Sequence, residues 1–307
     1  MLKAIFKKIV GFKERCGNKT ASDDNESGFI LVAVIWITGL LAVITSAFVV
    51  NVTSQIFLSR NTVEGTRLDG AASGLAILKA YNLGQENGAN NSIKGWQACN
   101  WNKEIAVLFQ VQDQGGLLDI NTATPDLLEA LLEGLTRDPQ LSRRILGDIQ
   151  DFKDPDHFSA HGGDEPATYE NTTLGPKNSP FESPFELDQI PSISNQLFSR
   201  LQDFVTVQSQ QAGFDLDKAP EDLLVTINSG LKPGTDMQIY NQPSPTRIDT
   251  IDTVAQRGGG GRFHRKVMIN LLWQPEKPFA ILEWQRSSGE DYAKIIPTGS
   301  PFPCITE

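Results

Sequence analysis

The sequence predicts an α+β protein in which a long N-terminal helix packs on a small antiparallel sheet and a large all-helical segment is inserted into the sheet domain. Three observations carry this. Phe29–Val50 runs twenty-two residues without a charge. The three-and-four spacing of apolar residues then continues far beyond Val50, as one helix would require. Finally, alternating segments near 104–112 and 267–281 flank a Leu-rich middle, so strands bracket helices.

At about 1.5 Å per residue, the uncharged run covers roughly the 30 Å hydrocarbon core of a bilayer. Lys3, Lys7, Lys8, Lys13, Arg15 and Lys19 precede it, and the next basic residue is Arg60. Positive charge on the near side predicts a cytoplasmic N-terminus, one pass through the inner membrane and an exported C-terminal body. A cleaved secretory signal fits less well, because its apolar region would span 7–15 residues and end in a small-x-small site. Past the run, Val52, Ile56, Val63, Leu68, Ala72, Leu75 and Leu78 keep the helical phase, which predicts one helix from about Phe29 to about Leu83.

Asn82–Asn91, rich in Gly and Asn, reads as a loop. Glu104–Gln112 alternates Ile105, Val107, Phe109 and Val111 and reads as a strand. A turn, a short strand and a helix entry follow: Thr124 stands at the cap and Pro125 at the first position, ahead of Leu127, Leu128, Leu131, Leu132 and Leu135. Asn195–Val207 reads as an amphipathic helix. Gly230–Gly261, ending in four glycines, reads as loop or hinge. Val267, Ile269 and Leu271, then Phe279 and Ile281, form a hairpin turned at Gln274–Pro278, and Pro297–Pro303 is a tail.

One segment recurs. Leu118-Asp-Ile-Asn-Thr-Ala-Thr-Pro-Asp-Leu-Leu aligns without gaps on Phe214-Asp-Leu-Asp-Lys-Ala-Pro-Glu-Asp-Leu-Leu. This predicts two related helical units, near 119–136 and 214–230. The domain plan is therefore a leader (1–28), an apolar helix (29–50), a first part of the sheet domain (51–118), the helical insertion (119–258) and the rest of the sheet domain (259–307).

The net charge of −10 disfavours nucleic acid as a partner. Of three cysteines, Cys16 lies in the leader. Cys99 and Cys304 then share an oxidising compartment, either bridged or as two free thiols. Between the repeats, Asp151, Asp154, Asp156, Asp164 and Glu165 gather on a stretch broken by Pro155, Gly162 and Gly163. Such a run reads as a solvated acidic loop or as a Ca²⁺ site, since Ca²⁺ takes 6–8 oxygens. Catalysis would need an acid in an apolar pocket, and this polar context offers none. His157 and His161 lack a third nitrogen or sulfur ligand nearby and read as loop residues.

These residues resemble a known family. A basic, polar leader ending Ser27-Gly28-Phe29 before an unbroken apolar helix is similar to those of type IV prepilins and type II secretion pseudopilins. That resemblance implies cleavage between Gly28 and Phe29 by prepilin peptidase and methylation of Phe29. Most relatives carry Glu at the fifth mature position, where this chain has Ala33, and lack of that Glu is a feature of the minor pseudopilin K. Asp119-Ile-Asn-Thr-Ala123 resembles the K family's (N/D)-x-N-T-A turn, while Asp215-Leu-Asp-Lys-Ala219 is a degenerate copy. The 151–169 stretch resembles its D-W-x-D-x-D…G-x-E…Y run, with Phe152 for Trp, and Asn178–Leu187 its N-x-P-F-x-S-x-x-E-L element, in which Glu186 reads as structural.

The resemblance implies a pilin-like fold with an inserted SAM-like helical domain and a calcium-binding, non-enzymatic role. It also implies I- and J-type minor pseudopilins as partners in a pseudopilus tip that initiates assembly and serves protein export, with the body in the periplasm. The alternatives are a minor pilin of a type IV pilus and a membrane-anchored periplasmic hydrolase using the 151–165 carboxylates.

Overall fold

The computed structural model describes residues 26–85, 95–155, 158, 175–244, 248–258, 261–274, 276–287 and 301–304. The chain divides into two compact units, one up to Thr62 and one from Val63 onward.

The described part of the first unit belongs to helix α1 (Glu26–Gln85), which starts slightly before the expected Phe29 and continues into the second unit. Its apolar side chains, Phe29 and Trp36 foremost, are exposed. Its first part is long and apolar enough to cross a membrane. Threonine hydroxyls there turn back on their own helix, Thr38 donating to the Val34 carbonyl at 2.9 Å and Thr53 to that of Val49 at 2.8 Å. A polar group satisfied inside the helix needs no partner from an apolar surrounding.

In the second unit, α1 lies on one face of a six-stranded sheet. The strands are β1 (Gln97–Asn100), β2 (Ile105–Asp113), β5 (Ile248–Arg257), β6 (Arg262–Gln274), β7 (Lys277–Ser287) and β8 (Phe302–Pro303), in the order β7-β6-β5-β2-β1-β8. All neighbours are antiparallel except β1 and β8. Leu68, Ala71, Ala72 and Leu75 of α1 pack on Val107, Phe109, Ala255 and Phe263, and Ala76 and Ala80 on Val111, Ile251, Val267 and Ile269. The alanine stripe lets the helix axis approach the sheet closely. Gly84 goes further, since a Cβ there would lie 2.6 Å from Pro278.

The segment joining β2 to β5 forms a separate helical core. It holds β3 (Leu118–Asp119), α2 (Pro125–Thr136), α3 (Pro139–Lys153), a 3-10 turn at Pro184–Gln189, α4 (Asn195–Leu201), β4 (Val205–Thr206) and α5 (Glu221–Gly230). Its interior is Leu127, Leu131, Ile145, Ile149, Phe152, Leu187, Phe214, Leu223 and Ile227, all essentially buried. The insertion of a helical body between two strands of one sheet is therefore as the sequence predicts.

Four local expectations are corrected. Residues 248–257, expected within the 230–261 loop, form β5, the strand bridging β2 and β6. The alternation is spoiled by Asp249 and Asp252, and the strand buries residues on both faces, Ile251 and Thr253 toward α1 and Val254 away from it. The sheet thus resumes before residue 259. The tail, Pro297–Pro303, contributes β8, which pairs beside β1 at residues 97–100. The helix expected over 195–207 stops at Leu201, and beyond it the carbonyls of Phe204 and Thr206 accept from the N–H groups of Leu118 and Ile120 at the start of the first repeat.

Candidate functional site

The repeated turn organises the helical body. In the first copy, Asp119 Oδ1 accepts the backbone N–H of Asn121 at 2.9 Å and of Thr122 at 3.2 Å, its carbonyl accepts Ala123 N–H, and Oδ2 accepts Gln210 N–H at 2.9 Å. In the second, Asp215 Oδ1 accepts Asp217 N–H at 3.0 Å, its carbonyl accepts Ala219 N–H, and Oδ2 accepts Ser244 N–H at 2.9 Å. Each Asp closes a turn ahead of a helix and ties it to a loop residue distant in sequence, as short acidic side chains do at turns. Thr124 and Pro220 stand at the two helix entries, and neither side chain makes a capping bond. The degenerate 215–219 copy thus keeps the Asp geometry.

The acidic stretch is welded to the first turn. Phe152 is fully buried and stacks on Phe181 with ring centroids 4.9 Å apart. Asn121, the Asn of the turn, holds Phe181 from both sides, donating to its carbonyl and accepting its N–H at 2.9 Å each. Lys153 reaches back to the carbonyls of Ile120 and Asn121 at 3.1 Å each. Burial pushes its ammonium below the usual lysine range, opposed by Asp119 and Asp154. Lys153 and Asn121 were not singled out from sequence, although Asn121 stands in the recognisable Asn-Thr-Ala turn.

Of the five acidic candidates, Asp151 is buried on the last turns of α3 and Asp154 is its C-terminal flanking residue. Asp156, Asp164 and Glu165 lie outside the described residues, as do His157 and His161. Among the described residues, no three His, Cys, Asp or Glu side chains gather as a metal site. Glu186 meets Lys177 at 2.9 Å and accepts Glu182 N–H at 3.2 Å, fixing the loop that delivers Phe181. Cys99 and Cys304 are joined by a disulfide, with Cα atoms 4.9 Å apart. Gly28 and Phe29 lie in the first turns of α1.

Residues 107–210 match the family model for type II secretion system protein K. That segment is similar to the protein K pseudopilins. The protein K match begins inside β2 and ends at Gln210, whose N–H closes the Asp119 turn. It therefore takes in the first repeat, α3 and the Phe152–Phe181 stack. A solved structure, the GspK-GspI-GspJ complex from the enterotoxigenic Escherichia coli type 2 secretion system, contains a similar chain. That chain is 12% identical with a TM-score of 0.55, and the match covers 76% of this chain and 99% of that one. The likeness is one of fold, a long N-terminal helix with mixed helix and sheet. No curated protein sequence matches.

Proposed function

We propose that this chain is a protein K pseudopilin that caps the tip of a pseudopilus, takes part in starting its assembly and serves protein export. The observation that carries the reading is a large helical body inserted between two strands of the sheet that packs on α1. Ala33 supports it. A subunit stacked below another would offer a carboxylate at that position to its neighbour's N-terminal amine, and a subunit with nothing above it needs none. The partners are minor pseudopilins of the I and J type, consistent with the complex in which the similar chain was solved. The body lies in the periplasm, anchored by α1, which keeps its whole apolar run when processing makes Phe29 the new N-terminus.

The test is intact mass and N-terminal sequencing from membranes of cells with and without prepilin peptidase. The expected result is a chain starting at methylated Phe29 only when the peptidase is present. A chain starting at Met1 in both strains overturns the reading.

Calcium belongs to the same proposal. Asp151 and Asp154 supply hard oxygen donors one turn apart at the end of α3, chemistry that suits Ca²⁺. Two carboxylates are too few for 6–8 oxygens, so Asp156, Asp164 and Glu165 or neighbouring carbonyls would complete the set. Ca²⁺ added after chelation should raise the melting temperature of the full chain in detergent. Binding at a hundredfold excess over Kd corresponds to about 2.7 kcal/mol. Asp151→Asn should remove the response, and an unchanged rise in that variant would exclude Asp151 as a ligand.

A further inference from the structure

Among the described residues, β7 is the terminal strand of the sheet on the side away from β1 and β8. One edge of an eleven-residue strand therefore presents backbone groups without a neighbouring strand. The apolar face of the sheet continues to that edge. Ile281 stands opposite Ile269 and Trp284 opposite Val267. Ile269 and Val267 are fully buried beneath α1, whereas Ile281 is 46% and Trp284 41% exposed. Opposed residues in a ladder share a face, so the two exposed side chains extend the covered apolar surface past the helix.

The floor beside them is held in place. Arg265 pairs with Asp69 of α1 at 2.6 Å and lies 5.1 Å from the Trp284 ring, and Arg286 lies 4.7 Å from the Phe263 ring. Asp69, Ser73 and Ile77 recur every four residues and form one wall from α1. Ile77 is itself 37% exposed.

The charge of this hairpin is opposite to that of the chain. Residues 262–287 carry Arg262, Arg265, Lys266, Lys277 and Arg286 against Glu276 and Glu283, in a protein of net charge −10. An open strand edge with exposed apolar residues, set in basic surroundings, suits one kind of occupant: an extended segment that alternates apolar and acidic side chains.

We propose that β7 is a docking edge on which a partner minor pseudopilin adds an acidic strand beside Glu283–Ser287, seating apolar side chains against Ile281 and Trp284. Pro278 and the bulge after Ile281 irregularise the first half of β7 and confine the addition to its second half. The identity of the partner rests on the reading above, and the edge and its charge rest on the geometry here.

The test is amide hydrogen exchange on the full chain in detergent, alone and in complex with co-purified I- and J-type pseudopilins. Amides of 283–287 should exchange at least tenfold more slowly in the complex, while those of β2 stay unchanged. Arg286→Glu and Trp284→Ala should each weaken association at least tenfold, and Val225→Glu, on an exposed site of α5, should not. A complex with unchanged β7 exchange, or Arg286→Glu binding as the wild type does, overturns the docking edge alone. Slow exchange in the isolated chain that deepens with its own concentration also overturns it, in favour of a second copy. No complex at all overturns the partner reading and this inference with it.

Discussion

Asp249 stands directly opposite Asp113 where β5 leaves the helical body, with Lys218 as a favourable counter-charge. Burial and then the Asp113 charge push its carboxyl up to about 7. In the unfolded chain it titrates near 3.9, so between about pH 4 and 7 the folded state binds the extra proton. Stability is therefore greatest below pH 4 for this group and falls as pH rises through 7. Three decades of proton affinity bound the effect at about 4 kcal/mol. Asp249→Asn should leave the melting temperature unchanged at pH 4 and raise it at pH 8, and a pH series on both proteins checks this. None of this was legible beforehand, because opposing residues are known only once 248–257 is known to be a strand. By contrast, the Asp119 turn was legible from its own residues, since an acidic side chain two residues ahead of its N–H partner acts locally.

Two helices meet through a reciprocal pair of glycines. A Cβ at Gly134 of α2 would lie 2.0 Å from the Thr226 carbonyl oxygen of α5, and a Cβ at Gly230 of α5 would lie 2.0 Å from that of Ala130 in α2. The offset that aligns Leu118 on Phe214 also aligns Ala130 on Thr226 and Gly134 on Gly230. The internal repeat therefore folds into a pair of helices related by approximate two-fold symmetry, crossing where neither carries a side chain. Gly134→Ala would gain roughly 1 kcal/mol of helix propensity. The clash is with backbone, which cannot rotate away, so overpacking at about 1–3 kcal/mol wins and the melting temperature should fall. Gly230→Ala should act alike, and the double variant should cost less than the sum, because one shift of the crossing relieves both contacts. A rise in melting temperature for either single variant would refute the crossing. The repeat was visible in sequence, but the contact was not, because a shared offset does not say that the two copies touch.

Across the molecule, the sheet domain is assembled from distant parts of the chain. The described residues between β2 and β5 form the helical body, and β8 returns from the C-terminal region to pair with β1. Such a strand has two residues of pairing to hold it, far too little against the entropy of the long intervening chain. The Cys99–Cys304 bridge supplies the missing constraint. It closes a loop across a sequence separation of 205 residues, for which chain entropy alone gives roughly 5 kcal/mol. Both sulfurs sit in the core with Leu68, Leu75 and Phe109, so the bridge also fills space under α1. Its pairing was left open by sequence, since two cysteines in one compartment do not reveal that β1 and β8 share an edge. Cys99→Ser with Cys304→Ser should lower the melting temperature markedly and release β8 first, seen as fast amide exchange at Phe302 while β5 and β6 stay protected. If β8 remains protected and the melting temperature holds, backbone pairing and packing alone secure that edge.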